Sequence, residues 1–466
     1  MRETTGILGR LGLDRTRRRL VPAALAGLLA ASLGAGPVIL ANAPQSGGNR
    51  RQEGERRMQR SWWDRTEPGR GGLPTSRFYR LRSDLSPADT KAYGQHLDLL
   101  YAEYKRRLGS LEQRTPEILD VLMFATQDDY IATLRERFGI NGMGSGGMFF
   151  VSPRGAALAF WVENLPKSRV LHVIQHEGFH QFAHSRFGND LPPWVNEGVA
   201  EFFGESVVVD GEVIIGQTSE RTLKTLRAAI AENKQIHFRD MITMEPDRWN
   251  ANVQAGSAML QYMQAWSMVH FLVYGDGGKY QKSFEAYLGF INKGAKNYDA
   301  FVRAFGTDDL DSFERRWTEY AKTARPSAFV TAIERVQFLA DGMKMLAEKG
   351  VVPTSMDDLE AKLKAERFTT QIFAGGGAHG TTITLGADDP LNFQIPDDDL
   401  AKGTPTFELL PPKQPKKPAK KSRDGDEETP LPPTLVTHDL APRNILVRWA
   451  KSKKGDRIEY DVELTK

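Results

Sequence analysis

Apolar residues recur three and four apart over long parts of this chain and alternate over short parts, so two periods divide it. Phe78–Leu81 reads as a short strand. Ser86 and Pro87 open a helix in which Leu97, Leu100, Tyr101 and Tyr104 keep helical spacing to about Leu108. Ile118–Phe124 is a second strand, and Gln127–Phe138 is a helix stopped by Gly139. After a Gly-rich turn at 141–147, Met148–Val151 and Ala157–Trp161 alternate as a hairpin. Ser168 is predicted to cap a helix that Gly188 ends, with Val170, Leu171, Ile174, Phe179, Phe182 and Phe187 packing inward. Pro192 and Pro193 precede another helix, from Trp194 to about Phe203. Glu205–Val209 and Glu212–Ile215 flank Asp210-Gly211, a hairpin signal. Helices are expected at 219–232, 255–274, 279–292, 297–304 and 309–323. The predicted class is α+β.

Beyond Pro326 the pattern changes. Helices are predicted at Ala328–Glu348 and Asp357–Ala365, followed by short Thr, Ile and Phe runs broken by glycines. Arg443–Trp449 and Arg457–Leu464 alternate strongly and form a terminal hairpin. A lone hairpin is marginal in water, so this one is expected to pack on strands from 367–410. The organisation read from these shifts is a leader at 1–43, a solvated linker at 44–76 and a main domain at 77–325. A small α+β region at 326–410, a Pro- and Lys-rich linker at 411–433 and the hairpin at 434–466 follow.

In the leader, Arg15 and Arg17–Arg19 precede an apolar stretch at 20–40, and Ala41-Asn42-Ala43 offers small residues for cleavage. Pro44 just beyond is a poor cleavage neighbour, so a cleaved export signal and a retained anchor both fit. Either way the expectation is an exported protein that touches membrane only through an uncleaved N-terminal segment. The net charge of +3, with acids and bases interspersed, gives no nucleic-acid footprint. The chain has no cysteine, which excludes disulfides and thiolate metal sites.

The chemistry concentrates in Val173–Phe182 and Trp194–Glu201. His176, Glu177 and His180 make His-Glu-x-x-His, and two histidines four apart leave one face of a helix. His172 and His184 extend the same spacing by a turn each way. Only the pair His176 and His180 has a glutamate directly after its first member, where it can reach a water on a shared metal. His172 and His184 are therefore read as rim residues or as supports behind the ligands. Glu197, Glu201 and Glu205, four apart on the next helix, each offer a third carboxylate ligand. Two imidazoles and a carboxylate with one open position suit a catalytic Zn2+.

His176-Glu-x-x-His180 followed by Asn196-Glu-Gly-x-Ala-Glu201 resembles the gluzincin metallopeptidases, the thermolysin and aminopeptidase N group. Residues 77 to about 325 resemble the bacterial peptidase-MA-like domains. The resemblance implies a zincin-like catalytic domain, in which a small N-terminal sheet carries the active-site helix and a mostly helical part follows. It implies Glu197 as third ligand, Glu201 as the group orienting the first histidine, and Glu177 as general base. It also implies a downstream tyrosine that stabilises the oxyanion, for which Tyr262 is the candidate and Tyr274 and His237 are substitutes. Tyr262, Trp266 and His270 also fit a packed helix stripe. No segment here matches the Gly-x-Met-Glu-Asn that holds a free amino terminus in aminopeptidase N, and Gly142–Gly147 carries no acid. The expected activity is thus endopeptidase action on a peptide or protein substrate. Alternatives are an inactive peptidase-like binding protein of the cell envelope and an amide hydrolase acting on cell-wall peptide.

Overall fold

The strands of the first half close into one sheet. β1 (Tyr79–Ser83), β2 (Leu119–Phe124), β3 (Gly147–Ser152) and β4 (Gly155–Trp161) lie in the order β1-β2-β4-β3. β1, β2 and β4 run parallel, while β3 returns antiparallel on β4 and forms an edge. The period of two sends Val121, Met123, Leu158 and Phe160 to one core and Leu122, Phe124, Ala157 and Ala159 to the other. The computed structural model describes residues 61–68, 72–109, 111, 118–165, 167–209, 211–374, 381–397, 403–411, 430–451 and 458–465. The leader at 1–43, the first part of the 44–76 stretch and most of the 411–433 stretch lie outside the described residues. Among the described residues no helix is long and apolar enough to cross a membrane.

The linker expected over 44–76 needs correction at its C-terminal end. Ser61 caps α1 (Trp62–Arg65), and the Trp62 ring is 1% exposed and stacked on Phe124 with centroids 4.1 Å apart. Arg65 reaches Asp129 at 2.6 Å. The stretch is polar by composition, and its one usable signal was the adjacent Trp62 and Trp63. α2 (Pro87–Leu108) joins β1 to β2. α3 (Gln127–Thr133) continues as a π-helical turn over Leu134–Phe138, which Gly139 ends at φ +72°.

α4 (Lys167–Phe187) lies across the α2 face of the sheet, and α5 (Pro193–Gly204) packs on α4. α4 begins at Lys167, so Ser168 falls inside its first turn and is not its cap. Gly188 takes φ +60° and its N–H closes on His184 O at 2.9 Å, which stops the helix. Two glycines permit close approach. A Cβ on Gly147 would meet Val173 Cγ1 at 2.6 Å, and one on Gly198 would meet Ala265 O at 2.5 Å.

The hairpin β5 (Val207–Val209) and β6 (Glu212–Ile214) leads into a helical layer. It comprises α6 (Glu220–Ala231), α7 (Phe238–Thr243), α8 (Pro246–Gln254), α9 (Met259–Tyr274), α10 (Gln281–Asn292), α11 (Asn297–Phe305) and α12 (Leu310–Thr323). The sequence pattern missed α7, which spans six residues, and α8, whose buried residues are Trp249 and Val253. It also started α9 four residues early, because Gly256 sits at φ +69° before it.

α13 (Ala328–Glu348) and α14 (Met356–Ala365) carry a second core. β7 (Thr369–Ala374) pairs with β8 (Thr381–Gly386). β9 (Thr406–Leu410), β10 (Thr434–His438), β11 (Asn444–Lys451) and β12 (Ile458–Thr465) form a sheet in the order β12-β11-β10-β9. The terminal hairpin therefore joins a strand from 367–410 through β10, which the sequence reading missed. Phe338 and Leu339 of α13 share one core with Leu409, Leu435, Ile445 and Val447. Tyr460 Oη donates to Asp341 Oδ1 at 2.8 Å. Ser327 N donates to Thr218 O at 2.9 Å and Arg335 pairs with Glu220, tying this unit to the helical layer.

Trp62→Ala opens a cavity under β2 and is expected to cost about 3–5 kcal/mol of stability. A fall in the urea midpoint without a change in slope is the expected reading. An unchanged midpoint would mean that the α1 segment adds nothing to the core.

Candidate metal centre

α4 is buried on nearly every side, so its polar residues must find partners within the protein. His176, Glu177 and His180 are at most 3% exposed. α5 lies alongside and brings Glu197 to them. His176 Nε2 and His180 Nε2 are 3.0 Å apart, and Glu197 Oε2 is 3.4 Å from the first and 3.3 Å from the second. Tetrahedral ligands 2.0–2.1 Å from a zinc-sized ion stand about 3.3 Å from one another. The three donors already have that spacing.

The outer contacts fix which nitrogens face inward. His176 Nδ1 stands 2.7 Å from Glu201 Oε1 as an ion-pair contact, and His180 Nδ1 donates to Asn196 Oδ1 at 3.1 Å. Each ring then turns the lone pair of Nε2 towards the other ring and Glu197. Two lone pairs at 3.0 Å repel unless a positive charge stands between them. Burial disfavours the His176 imidazolium, yet Glu201 and Glu197 outweigh it and hold that group well above its ordinary value. Burial likewise works upward on Glu197, but His180 and His176 bring its carboxyl down to about 2. The pocket is built for a cation, and His176, His180 and Glu197 can hold a metal ion.

A second group, His172, His176 and Glu201, also lies close together. It fits less well. His172 Nε2 is 3.8 Å from Glu201 Oε2, and the other Glu201 oxygen is already paired with His176 Nδ1. His172 and Glu201 are also absent from the described walls of the cleft, whereas His180 and Glu197 line it. His172 stacks on His176, and burial holds it down to about 4. Glu205 closes the end of α5, and burial, with Glu201 and Glu334, pushes its carboxyl well up. It belongs to neither donor group.

The cleft measures about 340 Å³. His180 and Glu197 form its base. Phe149 and Val151 of β3 and Trp249 and Asn250 of α8 also line it. His184 is on the rim as expected, its ring 5.4 Å from that of Phe149. Burial pushes the Glu177 carboxyl up to about 7, against the pull of His176 and His180. Glu177 Oε2 accepts the Phe149 N–H at 2.7 Å, while Oε1 is buried and meets no donor.

Tyr262 is 2% exposed on α9 and packs edge-on against Trp249, centroids 5.2 Å apart. Burial raises its phenol well above the ordinary value, with Glu197, Glu201 and Glu177 adding to the effect. Tyr262 is not among the described cleft residues and packs behind Trp249, which is one of them. Trp266 and His270 are buried as a packed stripe requires, and His270 Nδ1 bonds Tyr320 Oη at 2.6 Å. The substitutes lie elsewhere. His237 pairs with Glu314 at 3.1 Å on the surface, and Tyr274 sits on Gly216. Sequence reasoning missed the roles of Asn196, the Phe149 amide and Trp249. Asn196 stood beside Glu197 and was legible as an imidazole partner. The other two depend on strand order and on a helix that the sequence pattern missed.

A family model described as a protein of unknown function (DUF1570) matches residues 171–297. That stretch holds all the donors and Tyr262, and leaves β3 outside. No curated protein and no solved structure matches the chain.

Metal content is expected to fall to background in His180→Ala and Glu197→Ala and to persist in His184→Ala, as read by elemental analysis of the purified chain. Both ligating imidazoles must be unprotonated, so affinity should weaken as pH falls. Because His176 is held above its usual value, protons should compete already near neutrality. Metal lost equally from His184→Ala would place the site further along α4.

Proposed function

We propose that this chain is an exported zinc-dependent peptidase of the gluzincin type, cutting within peptide chains. The observation that carries the reading is the Glu177 carboxylate. It has one oxygen held by a strand amide and the other buried and unengaged, beside two imidazoles whose lone pairs converge on Glu197. A buried proton acceptor beside a group of metal donors, two of which line an open cleft, is the equipment of hydrolysis by activated water. Two imidazoles and one carboxylate without thiolate are the donor set of a catalytic zinc with an open position.

Zinc bound to His176, His180 and Glu197 would supply the positive charge that acidifies water and polarises a scissile carbonyl. Glu177 Oε1 takes the proton of the attacking water and passes it to the departing amine nitrogen. The Phe149 amide holds Oε2, so the other oxygen faces the reacting atoms. Glu201 and Asn196 keep the two imidazoles in the tautomer the reaction needs. The Tyr262 hydroxyl serves as donor to the oxygen that gains charge. β3 offers an extended substrate an edge. The acids among the described cleft residues are Glu197 and Asp247, with none on β3 to hold a free amino terminus. That favours internal cleavage over end-trimming.

Glu177→Gln is expected to retain the metal and to lose at least about 100-fold in turnover of a denatured protein substrate. Full turnover in that variant would refute the mechanism. Tyr262→Phe should lower kcat about 100-fold with little change in KM or melting temperature. A lower melting temperature with unchanged kcat would make Tyr262 a packing residue.

A further inference from the structure

Gln175 directly precedes the first donor, and it is 3% exposed. α5 ends at Gly204, where the last carbonyls have no partner inside the helix. Gln175 Nε2 donates to Gly204 O at 2.7 Å and to Ser206 O at 2.9 Å, with Phe203 O at 3.3 Å. Since the amide nitrogen donates, Oε1 is the acceptor, and His96 Nε2 of α2 donates to it at 2.9 Å. The main-chain oxygen of Gln175 accepts from Tyr104 Oη, also on α2, at 2.7 Å. One residue thus ties α2, α4 and the end of α5 together.

We infer that Gln175 is a positioning residue for the metal donors. It sets how far α5 is slid along α4. Besides the site's own contacts, His180 Nδ1 to Asn196 Oδ1 at 3.1 Å and His176 Nδ1 to Glu201 Oε1 at 2.7 Å, it adds a polar tie at the far end of α5. The Phe179 and Phe203 rings are stacked 5.6 Å apart, and such apolar contacts tolerate sliding where hydrogen bonds do not. Glu201 and Glu197 lie three and seven residues before Gly204 on the same rigid helix. Fixing the end of α5 therefore fixes both carboxylates. One places its oxygen 3.3–3.4 Å from the two Nε2 atoms, and the other meets His176 Nδ1 at 2.7 Å. A shift of one residue along the helix is about 1.5 Å, enough to break the donor triangle.

This inference rests on the metal reading, and the test separates the two. The full chain is stripped of metal and titrated with Zn2+ against a chromogenic chelator. The visible spectrum of the Co2+ form reports donor geometry. Gln175→Met keeps the volume and removes the donors. Tyr104→Phe is the control, deleting a buried hydrogen bond to α4 while keeping the ring that packs on Phe203 of α5. Gln175→Met is expected to weaken Zn2+ binding about 10–100-fold and to shift the Co2+ bands. Tyr104→Phe should leave both unchanged even where its metal-free melting temperature falls. His96→Leu frees the amide to turn and should give a smaller loss in the same direction, which keeps the inference testable if Gln175→Met does not fold. Wild-type affinity and spectrum in Gln175→Met, or in His96→Leu where it alone folds, would overturn the role. So would equal affinity losses in Gln175→Met and Tyr104→Phe. Absence of Zn2+ uptake by the wild-type chain would overturn the metal reading itself.

Discussion

Two imidazole nitrogens, each with its hydrogen on the far side, are held 3.0 Å apart in a buried place. That contact is favourable only with a proton or a metal ion between the two nitrogens. It persists because Glu201 and Asn196 hold the rings by their other nitrogens and because Glu197 closes the third corner. The surrounding fold serves this arrangement. The sheet gives α4 a floor, Gly147 lets it sit close, and Gly198 lets α5 press against α9. The cost of gathering these groups is offset by the large aromatic and aliphatic core around them.

The same packing separates the roles of residues that looked alike in the sequence. Four histidines shared one spacing and three glutamates another. Burial and hydrogen bonding divide them. His172 stacks behind the first donor, His184 reaches the cleft rim, and Glu205 is buried at a helix end, close to the C-terminal unit's Glu334. Of the two donor groups among the described residues, His176, His180 and Glu197 stand at 3.0–3.4 Å from one another, a spacing suited to one small ion.

Much of this was readable from the chain. The long periodic helices and the alternating strands fell where expected, as did the His176 to His180 spacing and the edge hairpin before α4. What was not readable has physical reasons. α7 spans six residues, under two turns, and α8 has Trp249 and Val253 as its buried residues, yet α8 lines the cleft. Trp62 lay in a polar stretch whose composition masked one deeply buried ring. β10 has five residues and gains its meaning from β9 and β11, far apart in the chain. Gln175 carried no local signal, since its partners come from α2 and the end of α5.

Anomalous diffraction at the zinc edge, from crystals of the full chain grown with Zn2+, tests the central claim most directly. The account predicts a single strong peak bonded to His176 Nε2, His180 Nε2 and Glu197, with the fourth position open to the cleft. A peak between His172, His176 and Glu201, or no peak near α4, would contradict it.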